Sequence, residues 1–349
     1  MHPIVDFRSD LLVPPSAAVK AAMLEAMEAS PEFDLRGDHY QRNLEEQVAS
    51  LLGKQDALLF PTCTMANQTA LAVHSRPGEV VIAEQNAHMI TSEGGAPGGN
   101  SGVMVMGLPG SEGLPNYDRV EQLLLTPASV LTPRIGALFL ENTHLRSGGS
   151  VLDYAGTTDL SKLAKHSGVA VHIDGARLFN AAIASGRTLV ELTASSSSVS
   201  ISLNKSLGAP FGAMLAGDSD FVAEALRVRQ RFGGGIRPTS IVCAAALAAL
   251  QSFDHIHDDH RRAKEIAQKL AQIPGVSACP EPQTNIVFVS LQSKLCVENI
   301  IEGLREVDIL VLPFGSNKFR IVTHRGIDDM ALEYASTTIE KVLTHLHRS

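Results

Sequence analysis

Two residues of opposite charge follow apolar runs near the middle of the chain. Asp174 comes directly after the run 169–173, and Lys205 follows the run 199–203 by two residues. Such runs are typical of strands buried in a parallel sheet, and ligands bind at the carboxyl edge of such a sheet. An acid and an amine at this edge predict a site for pyridoxal phosphate (PLP). This cofactor needs a lysine for its Schiff base and an aspartate for its ring nitrogen.

Each of these two residues also has an ordinary structural explanation. Asp commonly caps a helix or a turn, and Lys commonly reaches from the end of a strand into water. The Gly-Ala-Arg segment at 175–177 and the small-residue loop at 206–210 favour the ligand site instead. Desolvation behind an apolar run also favours the neutral amine that attacks an aldehyde.

Further residues are candidates for holding the cofactor. Thr62, Cys63 and Thr64 lie where a predicted strand passes into a helix, and the free N–H groups of a helix start bind phosphate. Simple capping by the threonines needs no ligand. His88 follows another strand and could stack on a pyridine ring and exchange protons near neutral pH. A lone His is more often an ordinary polar residue.

Two arginines are candidates for binding an amino-acid carboxylate. The planar guanidinium of Arg177 or Arg320 can make two parallel hydrogen bonds with such a group. Arg320 lies inside a strand-like segment, 319–324, where a charge favours ligand binding over packing. For Arg8, the alternative is a structural role in which its guanidinium forms an ion pair with Asp6 or Asp10.

Composition limits the class of protein. A chain of 349 residues exceeds one ordinary core and predicts two unequal domains. The net charge of -8 argues against nucleic acid and membrane surfaces as partners, and no apolar run is long enough to span a bilayer. The opening residues lack the pattern of a secretory signal, so we expect a cytoplasmic protein. The scattered cysteines predict no disulfide framework, and the spacing in 255–260 predicts a solvated helix face and no zinc site.

The elements that must position these residues alternate along the chain. Seven apolar runs predict a mostly parallel sheet between helices, at 57–60, 79–83, 102–106, 135–140, 168–173, 199–203 and 212–216. Helices are predicted at 17–29 after an N-cap at Ser16, at 40–53, at 221–232, and in a long stretch over 240–271. Beyond these, strands are predicted at 285–290, 309–312 and 318–322, with helices at 297–306 and 330–345.

This order predicts four segments of the polypeptide. They are an N-terminal arm and helix (1–30), a large PLP-binding domain (31–239), bridging helices (240–273) and a small C-terminal α+β domain (274–349).

The chain resembles the threonine aldolase and β-eliminating lyase family, within the fold-type I PLP enzymes related to aspartate aminotransferase. The resemblance covers nearly the whole chain and rests on the joint order of segments that are each weak alone. These are Phe-Arg-Ser-Asp at 7–10, Thr-Met-Ala-Asn at 64–67, Glu-Gly-Gly at 93–95, Glu-Asn-Thr-His at 141–144, His-Ile-Asp-Gly-Ala-Arg at 172–177, Lys-Ser-Leu-Gly-Ala-Pro at 205–210, Gly-Gly-Gly-Ile-Arg at 233–237 and Arg-Ile-Val-Thr-His at 320–324.

The resemblance implies an α/β fold of the aspartate-aminotransferase type and a role for each candidate. Lys205 would carry PLP, Asp174 would meet the ring nitrogen, and His88 would stack on the ring and shuttle protons. The phosphate would be held by Thr62, Cys63 and Thr64, with Arg237 reaching it from a neighbouring subunit. Arg177 would serve both the cofactor and the substrate carboxylate, which Ser9 and Arg320 would also bind.

The implied reaction is cleavage of L-threonine or L-allo-threonine to glycine and acetaldehyde. The resemblance implies a homotetramer, a dimer of dimers with sites at subunit interfaces, and metal binding that is only incidental. The chain departs from the family at Cys63, where Gly is usual. It departs again at 131–134, Leu-Thr-Pro-Arg, where aldolases carry a second His for the substrate hydroxyl. β-Elimination, racemisation or transamination of an amino acid, and a non-catalytic PLP-binding role, are the alternatives.

Overall fold

The structure is a computed structural model that describes residues 4–30 and 32–348. The chain divides into two compact units. The smaller unit combines the residues up to Pro14 with those from Phe253 onward, and the larger unit runs from Pro15 to Ser252.

The strands and helices are numbered here in chain order. The strands are β1 (Val5–Asp6), β2 (Asp56–Phe60), β3 (Val80–Glu84), β4 (Met104–Leu108), β5 (Gly110–Ser111), β6 (Leu114–Pro115), β7 (Ile135–Glu141), β8 (Ala170–Gly175), β9 (Ser198–Ser202), β10 (Ala213–Gly217), β11 (Val276–Ala278), β12 (Ile286–Leu291), β13 (Ile309–Leu310), β14 (Leu312–Pro313) and β15 (Lys318–Val322). The helices are α1 (Ala17–Met27), α2 (His39–Leu51), α3 (Cys63–His74), α4 (His88–Thr91), α5 (Ala96–Ser101), α6 (Tyr117–Leu125), α7 (Tyr154–His166), α8 (Leu178–Ser185), α9 (Leu189–Thr193), α10 (Ser219–Arg231), α11 (Ser240–Leu250), α12 (His255–Leu270), α13 (Val297–Arg305) and α14 (Asp329–Arg348).

A seven-stranded sheet forms the centre of the larger unit. Its strand order is β2-β10-β9-β8-β7-β3-β4. The pairs from β9 to β4 are parallel, whereas β10 is antiparallel to both of its neighbours. Each of the seven apolar runs is one of these strands, so the predicted fold class is confirmed. Apart from β10, every strand therefore ends at the same edge of the sheet.

Helix α3 shows how the sequence places polar side chains against this sheet. Ser16 caps α1 as expected, and in the same way Thr62 caps α3 by accepting a hydrogen bond from the Met65 N–H (3.1 Å). Residues four apart lie on one face of a helix. Cys63 and Asn67 therefore share the face of α3 that also buries Ala70.

The smaller unit has a different architecture. Its four-stranded antiparallel sheet has the order β11-β12-β15-β14, and β1 pairs in parallel with β13. The predicted strand and helix order after residue 285 is confirmed with one correction, since the strand predicted at 309–312 is two short strands, β13 and β14, which pair with β1 and β15. The short strand β11 was not predicted, since it has only three residues, two of them exposed.

Two expectations need correction around residue 255. The helical stretch predicted over 240–271 is two helices, α11 in the larger unit and α12 in the smaller, separated by residues 251–254. Ser252 and Asp254 favour turns, because their side chains compete for backbone hydrogen bonds. The prediction of a solvated face at 255–260 is wrong for Asp259 and His260, which are 0% and 7% exposed. In the part of the chain that the structure describes, no helix is both long and apolar enough to cross a membrane.

Candidate active site

Polar side chains meet at the carboxyl ends of three neighbouring strands. Asp174 lies near the end of β8, opposite Glu141 on β7 and opposite Ser200 on β9. The next residue, Gly175, has no space for a side chain, because a Cβ there would lie 2.6 Å from the Ser200 carbonyl oxygen. The close packing of β8 on β9 therefore fixes the position of Asp174.

Asp174 is buried, and two donors fix its carboxylate. The Ala176 N–H donates to Oδ1 (3.0 Å), and the side-chain amide of Asn67 donates to Oδ2 (2.7 Å). With 6% of its surface exposed, Asp174 cannot turn freely into solvent. The predicted acid at the sheet edge is thus present and held in one orientation.

Asn67 joins Asp174 to a second buried acid, Glu93. Its Nδ2 also donates to Glu93 Oε1 (3.1 Å), and its Oδ1 accepts from the Ser200 hydroxyl (2.6 Å). The other Glu93 oxygen accepts from Gln68 Nε2 (2.6 Å). Both carboxylates therefore depend on consecutive residues of α3.

His88 begins α4 and is the most open member of this group, with 28% of its side chain exposed. Its Nδ1 lies 2.9 Å from Glu93 Oε1, and its backbone N–H donates to Glu141 Oε2 (2.6 Å). Burial acts to lower the pKa of His88, but the hydrogen bond to Glu93 and the charges of Asp174, Glu93 and Glu141 outweigh it and raise the pKa. These acids therefore favour the protonated imidazole.

The thiol of Cys63 lies beside the predicted acid. Its Sγ lies 3.9 Å from Asp174 Oδ1 and 3.6 Å from the Ser200 hydroxyl. Burial and the charge of Asp174 raise the pKa of this thiol, and the charge of Lys205 opposes them. The charges of Asp174 and Lys205 therefore both act on the Cys63 thiol, with opposite effects on its pKa. Among the residues described, the Lys205 ammonium makes no hydrogen bond or ion pair, so it is available to a ligand.

The start of α3 offers donors for an anion. The N–H groups of Cys63 and Thr64 lie in the first turn, where a helix leaves them without an intrahelical acceptor. The Thr62 hydroxyl caps this turn, so part of its role is structural. Phosphate binding by these three residues stays a prediction.

Two further arginines of the larger unit have defined environments. Arg177 follows β8 directly, precedes α8 and is 7% exposed. Arg237 is exposed, donates from Nη1 to the Phe33 carbonyl (3.1 Å) and lies over the Phe33 ring. Their roles toward the substrate and the phosphate stay predictions.

The smaller unit contains the other predicted substrate residues. Arg320 lies on β15, is 9% exposed and donates to the Arg8 carbonyl (2.8 Å). The Ser9 hydroxyl accepts from the Leu11 N–H (3.1 Å). Arg8 pairs with Asp6 through two hydrogen bonds, as its structural alternative predicted. Substrate binding by Ser9 and Arg320 stays a prediction.

Sequence reasoning assigned no role to the residues that connect this site. Asn67, Glu93, Glu141 and Ser200 make its internal hydrogen bonds. One signal was present, since Asn67 and Gln68 interrupt an otherwise apolar helix face. Which acid each amide meets depends on the tertiary structure, because Glu93 and Asp174 are 26 and 107 residues away from Asn67.

One atom each of His88, Glu93 and Asp174 lies within 4.8 Å of the others, a spacing that a metal ion could also use. Two carboxylates at this separation repel by about 3 kcal/mol at an effective dielectric constant of about 20. The Asn67 amide donates to both acids, and His88 Nδ1 bonds Glu93. We therefore describe the cluster as a hydrogen-bonded network.

A cavity of about 720 Å³ lies at the opposite edge of the sheet. It is lined by residues at the starts of β3, β7 and β8, together with Thr132, Pro133 and Arg134. The segment 131–134, where aldolases carry a second His, thus precedes β7 at the edge away from Asp174. The seven residues of β7 separate the two positions by about 20 Å.

Comparison with known proteins agrees with this geometry. The family model for beta-eliminating lyases matches residues 6–294. Low-specificity L-threonine aldolase 1 of Arabidopsis thaliana is 35% identical, over 97% of this chain and 96% of its own. Low specificity L-threonine aldolase of Escherichia coli O157:H7 is 36% identical, over 93% and 95%.

A solved structure shows the same fold. Leishmania major threonine aldolase superposes with a TM-score of 0.84 at 20% identity, over 97% of this chain and 99% of its own. The chain belongs to the beta-eliminating lyase family, and it is a PLP-dependent lyase.

Proposed function

We propose that this lyase cleaves the Cα–Cβ bond of β-hydroxy-α-amino acids, of the L-threonine and L-allo-threonine type, to glycine and an aldehyde. The observation that carries the proposal is the arrangement of Asp174, Lys205 and His88 at one sheet edge. The Arabidopsis and Escherichia coli relatives, which are named L-threonine aldolases, support this substrate class.

The residues at the sheet edge fit PLP. Lys205 supplies an amine without a competing partner in the described chain, and Asp174 supplies a fixed anion for the ring nitrogen. The start of α3, at Thr62, Cys63 and Thr64, suits the phosphate group. When bound, PLP supplies the electron sink that makes cleavage at Cα of an amino acid possible.

His88 is the group that we assign to the substrate hydroxyl. Its Nδ1 is fixed on Glu93, which leaves Nε2 as the ring nitrogen that can take a proton. Bond cleavage requires the neutral imidazole, which accepts the β-hydroxyl proton as the aldehyde leaves. The second aldolase His is missing here, and Thr132 and its neighbours lie at the far edge of the sheet. Within the described chain, this role therefore falls to His88.

The remaining assignments rest on the resemblance. Arg177 would bind the substrate carboxylate, and Ser9 and Arg320 are candidates for the same ligand. Arg237 would contact the phosphate of a neighbouring subunit in a homotetramer. We also propose that the protein works in the cytoplasm on a small amino-acid substrate.

The test is a panel of amino acids with the PLP-loaded enzyme. Glycine and aldehyde, ammonia and keto acid, and the opposite enantiomer are measured from each substrate. We expect glycine and acetaldehyde from L-threonine and L-allo-threonine to exceed every other product. Ammonia release or racemisation as the main outcome, with no glycine, would replace the aldolase assignment by one of the alternatives.

A further inference from the structure

The side-chain amide of Asn67 is shared between two buried carboxylates. An amide nitrogen carries two hydrogens, and Asn67 Nδ2 donates to Asp174 (2.7 Å) and to Glu93 (3.1 Å). Its Oδ1 accepts from the Ser200 hydroxyl (2.6 Å). The opposite amide orientation would place Oδ1 against two carboxylate oxygens, so these contacts fix the orientation. Asn67 is 1% exposed, and water cannot replace it as the donor.

The two carboxylates serve different parts of the proposed site. Glu93 Oε1 also accepts from His88 Nδ1 (2.9 Å), which makes Glu93 the group that orients the imidazole. Asp174 is the acid assigned to the ring nitrogen of PLP. Asn67 therefore donates hydrogen bonds to both acids. Glu93 orients His88, and Asp174 is assigned to the ring nitrogen of PLP.

We propose that Asn67 is a positioning residue that holds Asp174 and Glu93 in fixed places, and thereby orients both PLP and His88. This inference rests on the proposed function. It assigns no chemical step to Asn67, whose side chain is buried and bonded to Asp174, Glu93 and Ser200. Its amide hydrogens lie between two anions that repel each other, so the pair keeps its geometry only while the amide is present.

The adjacent residue provides a matched control. Gln68 is buried like Asn67 (2% against 1% exposed) and also donates to Glu93, at 2.6 Å to Oε2. No bond from Gln68 to Asp174 is found among the described residues. A merely structural role for this turn of α3 predicts similar effects for both residues. Positioning of Asp174 predicts that only Asn67 affects the cofactor.

The first experiment measures PLP affinity and the visible absorbance band of the wild type, Asn67→Leu and Gln68→Leu. Each protein is stripped of PLP and titrated with it, and circular dichroism confirms folding. We expect Asn67→Leu to bind PLP at least tenfold more weakly with a shifted band, and Gln68→Leu to stay within twofold of the wild type. Equal effects of the two substitutions overturn the inference. A wild type that takes up no PLP overturns the proposed function instead.

The second experiment uses Asn67→Asp, whose introduced carboxyl can donate a hydrogen bond only when protonated. The titratable groups around this position are Glu93, Asp174 and His172, with Cys63 one turn earlier on α3 and His88 bonded to Glu93. Burial lowers the pKa of His172 and raises that of Cys63, so neither titrates near neutral pH.

We expect the PLP affinity of Asn67→Asp, relative to the wild type, to fall as the pH rises from 6 to 9. The ratio compares two proteins at each pH, so the protonation of free PLP, which is common to both titrations, cancels. This measurement stands even where Asn67→Leu does not fold. A ratio that does not depend on pH shows that hydrogen-bond donation at residue 67 does not position the cofactor, and it overturns the inference.

Discussion

Both units contain buried acids, and Asp174 and Glu93 in the larger unit differ from Asp259 in the smaller unit in their hydrogen-bond donors. In the larger unit, Asp174 and Glu93 each accept bonds from two or more side-chain or backbone donors. In the smaller unit, Asp259 is 0% exposed, and neither of its carboxylate oxygens has a hydrogen-bond partner among the described residues. All three acids are therefore buried, but only Asp174 and Glu93 accept hydrogen bonds from described residues.

Hydrogen bonding affects whether a buried carboxylate can keep its charge. Burial, and then the like charges of Asp10 and Asp258, raise the pKa of Asp259 to about 7, although Arg262 and Arg325 oppose them. An acid without donors thus takes up a proton near neutral pH. Hydrogen bonds that a carboxylate accepts favour its charged form, which is the form that suits a cationic ligand such as a protonated pyridine ring. Asp174 and Asp259 are both buried, and it is the donors that distinguish the acid at the proposed site from the other.

We expect the largest effect from a substitution of Asp174, the acid at the sheet edge that accepts hydrogen bonds. Asp174→Asn keeps the shape of the side chain but removes its negative charge from the ring nitrogen. We expect the rate of amino-acid cleavage to fall by about 10³-fold, as when a group that stabilises developing charge is removed. Steady-state kinetics with saturating PLP measure this loss. A rate within tenfold of the wild type would show that Asp174 does not serve the ring.

For Asp259, the acid without hydrogen-bond donors, we expect a substitution to change the stability of the fold. Because the folded-state pKa of Asp259, about 7, exceeds the ordinary value of 3.8, folding favours the protonated form. Its contribution to stability is fully present below pH 4 and is lost as the pH rises to 7. Asp259→Asn mimics the protonated acid. We therefore expect it to raise the free energy of unfolding relative to the wild type by up to about 4 kcal/mol at pH 8.

Denaturant unfolding of both proteins at pH 4, 6 and 8 checks this expectation. The difference between variant and wild type should increase with pH and become constant above pH 8. A difference that stays the same at every pH would mean that Asp259 remains charged in the folded protein, and its contrast with the acids of the larger unit would disappear.

A third prediction concerns the bond between Glu93 and His88. Glu93→Gln removes the negative charge that helps to raise the pKa of the imidazole, while the charges of Asp174 and Glu141 remain. We expect the pKa of His88 to fall and the acidic limb of the activity profile to move to lower pH. Gln68→Leu, which leaves the Glu93 charge in place, is the control. If the acidic limb does not move, it reports the titration of a group other than His88.

The central sheet could be predicted from sequence because each strand carries its own signal. Runs such as 135–140 and 199–203 are apolar on both faces, and only a covered sheet buries them. Lys205 and Asp174 could be identified because they follow such runs and belong to ordered motifs. Asn67 could not be assigned a role, since its partners are far away in the sequence and a buried amide does not reveal which acid it meets.

The misjudged segment at 255–260 shows a different limit. Asp259 and His260 lie on the same helical face as Ile256 and Ala263, at spacings of three, four and seven residues. That periodicity predicts their burial, but the density of charged and His residues suggested exposure. Periodicity was the better guide, because this same face of α12 packs Ala263, Ile266, Ala267 and Leu270 in the core of the smaller unit.

The smallest expected effect separates hydrogen bonding from charge within that unit. The Thr323 hydroxyl donates to the Asp259 backbone carbonyl (2.6 Å), and Thr323 is 0% exposed. Thr323→Val removes this neutral bond at nearly constant volume, so we expect a loss of about 1 kcal/mol in the free energy of unfolding. Because no charge changes, the loss should be equal at pH 5 and pH 8, in contrast to the effect of Asp259→Asn. A loss that varies with pH would mean that Thr323 supports the carboxylate itself, and Asp259 would then belong with the acids that have donors.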